Sequence, residues 1–126
     1  MYKRQGNFCA RGGRFGSHSS NESFDPLFYG KLTFITFFNA GVRVLDIRNP
    51  YEPKEVAYFI PPITKATVAR CGVIGGVQRC SNAVIQSNNA EVDDRGYIYI
   101  ADRSNTGLHI VELTGEARTI AGLPPN

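Results

Sequence analysis

The alternation of apolar and polar positions is clearest between Leu32 and Ile60, where it indicates three short strands joined by turns. An unbroken apolar, β-branched and aromatic run opens this stretch and is typical of a strand buried on both faces, whereas the next two runs alternate. Gly41 ends the first turn, and Pro50 and Pro53 in the second turn cannot continue a ladder of strand hydrogen bonds. The pattern therefore predicts an antiparallel meander, with strands near residues 31–38, 42–48 and 54–60.

A second stretch repeats this arrangement 64 to 66 residues further along the chain. Its segment GLHIVEL aligns with GVRVLDI, which pairs three positions of the two copies: Gly107 with Gly41, Leu108 with Val42 and Ile110 with Val44. Both hairpin glycines are predicted to adopt positive φ or to permit a close backbone approach, so Gly107→Val is expected to destabilise the domain. The second stretch predicts strands near residues 90–93, 97–102 and 107–113, with a weak last strand at 117–121.

A repeated antiparallel meander is the signature of a propeller-type array, in which each blade buries its faces against its neighbours. The sequence thus predicts an all-β fold of two four-stranded antiparallel meanders of the β-propeller blade type. A closed propeller usually has about four to eight blades, so two blades do not form a ring by themselves. The single domain, residues 1–126, divides into an N-terminal segment with the first blade (1–62), an irregular connection (63–82) and the second blade (83–121). The polar, glycine-rich residues 1–23 form either a loop or an irregular strand laid over the first meander.

The stretches FNAGVRVLDIRNPYEPKEVAYF and EVDDRGYIYIADRSNTGLHIVEL resemble the LVIVD-repeat β-propeller proteins of bacteria. In that family a hairpin ending in Gly, an aliphatic strand ending in Asp and a Pro-x-x-Pro turn recur once per blade. The first copy keeps these features with Asp46, Pro50 and Pro53, whereas the second has Glu112 and no Pro turn. The resemblance spans about residues 12–120 and implies the C-terminal part of a longer propeller in an envelope or secreted protein. It implies no particular function, because propellers host unrelated activities.

Polar residues precede the first clear strand of each meander and are the candidate ligand-binding residues: His18, Asn21 and Glu22 in the first copy, and Asn88, Asn89 and Glu91 in the second. The innermost strands of a propeller line its central channel, so these side chains are expected to converge on one axial pocket. Oxygen and imidazole groups in that pocket would hold a ligand or a cation. The alternative is that they hydrogen-bond neighbouring backbone and channel water.

Composition and charge narrow the classes of partner. The net charge is +3, and the ten arginines are spread along the sequence without a basic tract, so nucleic-acid binding is not expected. No run approaches the ~18 apolar residues of a membrane span, and the residues after Met1 lack the hydrophobic core of an export signal. The sequence alone therefore assigns no compartment.

The cysteines leave two interpretations open. Cys71 and Cys80 flank the glycine-rich segment CGVIGGVQRC, and a disulfide between them would close a short loop in an oxidising compartment. Alternatively, these two thiols and Cys9 are all reduced. No CxxC pair or HxxxH spacing indicates a zinc site.

Few residues suggest catalysis or a cofactor. The chain has two histidines, His18 and His109, and no Ser-His-Asp or Cys-His grouping, so no catalytic residue is predicted. The pair Asp93 and Asp94 is more typical of a turn than of a calcium-binding loop, which needs alternating oxygen ligands. Neither a metal nor a cofactor is therefore expected.

These patterns favour a non-catalytic binding or scaffold module that contacts a protein partner or a surface glycan. Self-association through exposed blade faces is also expected, because the apolar run of residues 34–38 needs a cover on each side and two meanders share only one interface. The alternative hypothesis is a fragment or subunit of a propeller enzyme or metal-binding protein, with an axial polar site built from His18, Glu22 and Glu91. Metal analysis of the purified protein and of His18→Ala separates the two hypotheses.

Overall fold

A computed structural model describes residues 8–125, which contain ten short elements. The helices are α1 (Phe8–Arg11) and α2 (Gly115–Ala121). The strands are β1 (Leu32–Thr36), β2 (Val42–Asp46), β3 (Lys54–Phe59), β4 (Cys71–Ile74), β5 (Val77–Cys80), β6 (Ser87–Val92), β7 (Tyr97–Asp102) and β8 (Leu108–Glu112).

The strands form three antiparallel sheets within the described part of the chain. Strands β1, β2 and β3 make the first sheet, β4 and β5 make a hairpin that we call the arm, and β6, β7 and β8 make the second sheet, each in sequence order. The mostly β class, the antiparallel pairing and the positions of the six strands in the two meanders are confirmed. Each large sheet has three strands, however, where four were predicted.

Residues 15–21, which we call the edge segment, run along the free edge of β1. The backbone N–H groups of His18 and Asn21 donate to the carbonyl oxygens of Thr36 (2.9 Å) and Phe34 (3.1 Å). Isolated antiparallel bridges tie the same segment to β1 and to the turn that follows it. For these residues, the irregular strand is therefore the correct one of the two predicted alternatives. Residues 1–7 of the predicted N-terminal segment lie outside the described residues.

The two large sheets pack face to face and enclose the hydrophobic core. Both contribute alternate, buried aliphatic or aromatic residues, among them Phe34, Val42 and Val44 from the first sheet and Ile98 and Ile100 from the second. The opposite face of β1 is only half-buried, so the expectation that this strand is buried on both faces holds for one face. The core is thus one layer of side chains between two stacked sheets, as between neighbouring blades.

The predicted last strand at residues 117–121 is wrong, because this segment is helical in α2. Ala117 and Ala121 are one helical turn apart and both are buried, so the helix offers a narrow face of small residues to the core. Gly122 ends the helix in the left-handed conformation (φ 81°), and its N–H group donates to the carbonyl of Thr119. The helix packs across all three strands of the first sheet and adds no strand to the second.

The arm lies inside residues 63–82, which were predicted as an irregular connection. Its turn is formed by Gly75 (φ 60°) and Gly76 (φ 76°), a pair that satisfies the positive φ required at both central positions of a tight hairpin turn. Cys71 and Cys80 are directly opposite each other and are joined by a disulfide, which decides the alternative that the sequence left open. All eight strand residues of the arm are exposed.

Candidate binding surfaces

The structure places the six predicted ligand-binding residues along the junction between the edge segment and β6. His18 and Asn88 meet there, because the Nδ1 atom of His18 lies 3.0 Å from the backbone oxygen of Asn88. Glu22 and Glu91 meet a few residues further along both segments. The Glu91 carboxylate accepts hydrogen bonds there from the backbone N–H groups of Glu22 (3.0 Å) and Ser23 (3.3 Å). The register between the two copies therefore brings these four residues together in two pairs.

The remaining two candidates have local partners. The Asn21 side-chain oxygen accepts a hydrogen bond from the backbone N–H of Phe34 (2.9 Å), and its amide nitrogen donates to the Ser23 carbonyl (3.3 Å). Asn89 is hydrogen-bonded through its side chain to that of Asn88. Both residues thus take part in backbone or neighbour contacts at the junction.

Two hydroxyl groups that the sequence did not single out complete this junction. Thr36 and Ser19 both donate to the backbone oxygen of Asn88, at 2.8 and 2.6 Å. The Asn88 carbonyl of β6 thus accepts one hydrogen bond from the edge segment and one from β1, so the junction connects the first sheet to the second. Its role in holding a ligand stays a prediction. Within residues 8–125, no group of three or more His, Cys, Asp or Glu side chains is placed to hold a metal ion.

A second candidate surface is the outward face of the second sheet, which we call the open face. It is formed by alternate residues of β7 and β8, all of them apolar or aromatic except the terminal Glu112: Tyr97, Tyr99, Ala101, Leu108, Ile110 and Glu112. In this set Leu108 is 62% exposed and Ile110 is 56% exposed. Adjacent exposed aliphatic and aromatic side chains on a regular sheet are typical of an interaction surface.

The alignment of the two copies explains why this face is apolar. Val42 and Val44 lie between the sheets and are 2% and 5% exposed, whereas their counterparts Leu108 and Ile110 lie on the open face. The two sheets are therefore stacked in the same orientation. The face of the first sheet that packs against the second sheet corresponds to the open face of the second sheet. The open face has the chemistry of a covered face and no cover within the described residues.

The outward face of the first sheet is partly covered. Arg43 is 4% exposed there, and its guanidinium lies 5.2 Å from the centres of both the Phe8 and Tyr58 rings. It also contacts Glu55, with 3.4 Å between Nη1 and Oε1. Burial lowers the pKa of Arg43, and the Glu55 carboxylate opposes that effect. Tyr58 itself remains 57% exposed, so part of this face is accessible.

Residues 27–59 and 95–113 match the family model of the LVIVD repeat. Both segments are similar to the LVIVD repeat. The first match contains all three strands of the first sheet and the second contains β7 and β8, so the predicted resemblance is confirmed. Comparison with curated proteins and comparison with solved structures gave no match. No helix among the described residues has the length and apolarity that crossing a membrane requires.

The turn that opens the second LVIVD repeat is organised by Asp93. Its carboxylate accepts hydrogen bonds from the Arg95 side chain (2.9 Å), from the backbone N–H of Tyr97 (3.0 Å) and from the Tyr99 hydroxyl (2.9 Å). Partial desolvation raises the pKa of Asp93, but these hydrogen bonds outweigh it and lower the pKa to about 2. Asp93 is thus a turn residue that accepts hydrogen bonds from the Tyr97 backbone and the Tyr99 side chain of β7, at the rim of the open face.

The depressed pKa of Asp93 predicts an acid-sensitive turn. A carboxylate whose folded pKa lies below its unfolded value stabilises the fold above the unfolded pKa, near 3.8, and loses that contribution as the pH falls through about 2. We expect the Tm of the wild-type protein to fall more steeply between pH 4 and pH 2 than that of Asp93→Asn. Calorimetry across this range tests the difference, with Asp94→Asn as the control for an exposed neighbouring carboxylate. Parallel curves for Asp93→Asn and the wild type would contradict the role of the turn.

Proposed function

We propose that this chain is a non-catalytic, β-propeller-type binding or scaffold module whose partner is a further β-sheet, supplied by a second copy of the chain. The observation that carries the proposal is the exposure of Leu108 and Ile110 at positions whose repeat counterparts are buried between sheets. Burying such a face is favourable because apolar surface leaves water, at about 25 cal/mol per Å². The LVIVD repeats and the stacked antiparallel sheets support a repeat domain of this kind.

The shared orientation of the two sheets sets the geometry of association. Within this chain, the second sheet covers the first with the inward face of β7 and β8. The equivalent face of the first repeat is the outward face of β1 and β2. A second copy would therefore dock the outward face of its first sheet, marked by Tyr58, onto the open face, marked by Ile110. Such contacts join unlike surfaces, so they produce rings or open arrays rather than two-fold dimers.

Light scattering coupled to gel filtration tests this head-to-tail arrangement. The wild-type protein is expected to exceed the monomer mass of 13.9 kDa at micromolar concentration. Ile110→Glu and Tyr58→Glu each place a charge on one of the two faces, so each variant alone is expected to be a monomer. Tyr51→Glu is the matched control, because Tyr51 is 96% exposed in a turn outside both faces and its variant should associate like the wild type.

Mixing the two monomeric variants gives the decisive measurement. Ile110→Glu retains an intact first-sheet face and Tyr58→Glu retains an intact open face, so an equimolar mixture is expected to form a dimer of one copy of each. A two-fold contact through the open face alone would leave Tyr58→Glu associated and would yield no mixed dimer. A wild-type protein that stays at 13.9 kDa at every concentration would overturn self-association altogether.

A further inference from the structure

A cavity of about 530 Å³ lies away from the open face, between the arm, the loop at residues 12–14 and the start of the second sheet. Small-molecule sites commonly have volumes of about 300–1,000 Å³, so the cavity is large enough for a ligand. Its polar lining includes Ser81, Asn82 and Gln86, together with the backbone of Gly12 and Gly13. The cavity is open to solvent, and the arm forms one of its walls.

Four arginines line this cavity, and they come from separate parts of the chain: Arg14, Arg70, Arg79 and Arg103. None of the residues that line it is acidic. The ion pairs of residues 8–125 involve other arginines, so these four guanidinium groups have no carboxylate of a described residue within 4.0 Å. Unpaired charges of one sign in a concave site focus the field and attract ligands of opposite charge.

Local contacts hold part of this cluster in place. The Arg70 guanidinium donates to the backbone oxygen of Arg103, and the Arg103 guanidinium is 3.4 Å from the side-chain oxygen of Asn88. The Arg14 guanidinium lies 5.9 Å from the centre of the Phe38 ring. The side chains of Arg14, Arg70 and Arg103 are thus directed by contacts with neutral partners, which leave their positive charges available.

The arm has no comparable role in the core, because all eight of its strand residues are exposed. It forms a wall of the cavity with residues of both strands, and the charged groups on this wall are Arg79 in β5 and Arg70 just before β4. Each of these arginines directly precedes a cysteine, Cys80 and Cys71 respectively. The disulfide joins these two cysteines across the arm, so it fixes the spacing of the two arginines beside it. The arm is therefore best explained by the charged groups that it presents.

We propose that this arginine cavity binds a ligand that carries two or more phosphate or sulfate groups, and that the Cys71–Cys80 disulfide holds the site together. Arginine forms paired, charge-assisted hydrogen bonds with the oxygens of both groups, and a single such group would engage only part of a four-arginine cluster. The ligand would lie between the arm and the loop that carries Arg14.

Isothermal titration calorimetry with two probes tests the proposal at low and at physiological salt. Inorganic tripolyphosphate represents the phosphate class and sucrose octasulfate represents the sulfate class, and tighter binding of one identifies the source. One-to-one binding that weakens at least tenfold in the double variant Arg14→Gln/Arg79→Gln is the expected result. The double variant Lys54→Gln/Lys65→Gln makes the same change in net charge at exposed positions outside the cavity and should bind like the wild type.

Other outcomes would overturn the proposal. Absence of binding by both probes at low salt would refute it, as would equal weakening in the arginine and lysine variants, which would show a diffuse charge effect. Binding of a single-stranded oligonucleotide with no binding of either small probe would assign the arginines to nucleic acid instead. A Cys71→Ser/Cys80→Ser variant is expected to keep its fold, measured by circular dichroism, and to bind several-fold more weakly. Unchanged affinity in that variant would refute the role of the disulfide.

Discussion

Gly41→Ala is expected to destabilise the protein by about 4 kcal/mol, combining ~1–3 kcal/mol of backbone strain with a similar steric cost. Gly41 has φ 75°, a conformation that L-residues with a side chain rarely adopt. A Cβ atom at this position would also lie 2.1 Å from the backbone oxygen of Phe59 and 2.9 Å from the Cα of Ile60. Both are main-chain atoms at the end of β3, so no side-chain rotation relieves the contact.

Gly107→Ala is the matched control, because it tests the equivalent glycine of the second repeat without the steric contact. Gly107 also has positive φ (101°), but no heavy atom lies within 4 Å of its added Cβ. Only the backbone strain of about 1–3 kcal/mol is expected there. Urea denaturation at 25 °C measures both variants. Equal losses of unfolding free energy at the two positions would show that the first hairpin relaxes, contrary to this expectation.

Phe34→Ala is expected to lower the free energy of unfolding by about 3–5 kcal/mol, because it leaves a cavity in the layer between the two sheets. Phe34 is fully buried, and its ring meets that of Phe28 edge to face at a centroid distance of 5.2 Å. Domains of this size have total stabilities of about 5–15 kcal/mol, so the variant is expected to be close to unfolding at 37 °C.

Phe24→Ala provides the comparison for the same change of side chain at the surface. Phe24 is 77% exposed. Among the aromatic rings of the described residues, its ring contacts only that of Tyr29, at a centroid distance of 5.5 Å. Phe24→Ala is expected to change the free energy of unfolding by no more than about 0.5 kcal/mol. A loss at Phe34 no larger than that at Phe24 would show that the two sheets are not packed as one core.

The strands and turns of both repeats could be predicted because their signals involve residues close together in sequence. Alternating apolar residues located β2 and β3, and the hairpin glycines Gly41 and Gly107 both adopt the predicted positive φ. The alignment of the two copies also anticipated that the polar residues before each meander share one region. The structure then pairs His18 with Asn88 and Glu22 with Glu91 at the sheet junction, and their function as ligands stays a prediction.

The last element shows where local reasoning was incomplete. Residues 117–121 were assigned as a strand by analogy with the first repeat, yet Ala117 and Ala121 have helical spacing and Gly122 follows as a helix-ending glycine. The decisive factor is tertiary, because the helix packs on the first sheet and buries Ala117 and Ala121 there. No local pattern specifies which sheet a terminal segment will cover.

The sequence by itself determined the β-strands, the hairpin turns and the similarity of two segments to the LVIVD repeat, because each depends on neighbouring residues or on a short repeated pattern. Tertiary structure alone decided which face of each sheet is covered, since Val44 and Ile110 have the same local pattern and opposite exposure. It also brought together arginines that the sequence spreads from Arg14 to Arg103. Burial and electrostatic fields depend on distances in space, and the folded chain sets those distances through contacts between residues far apart in sequence.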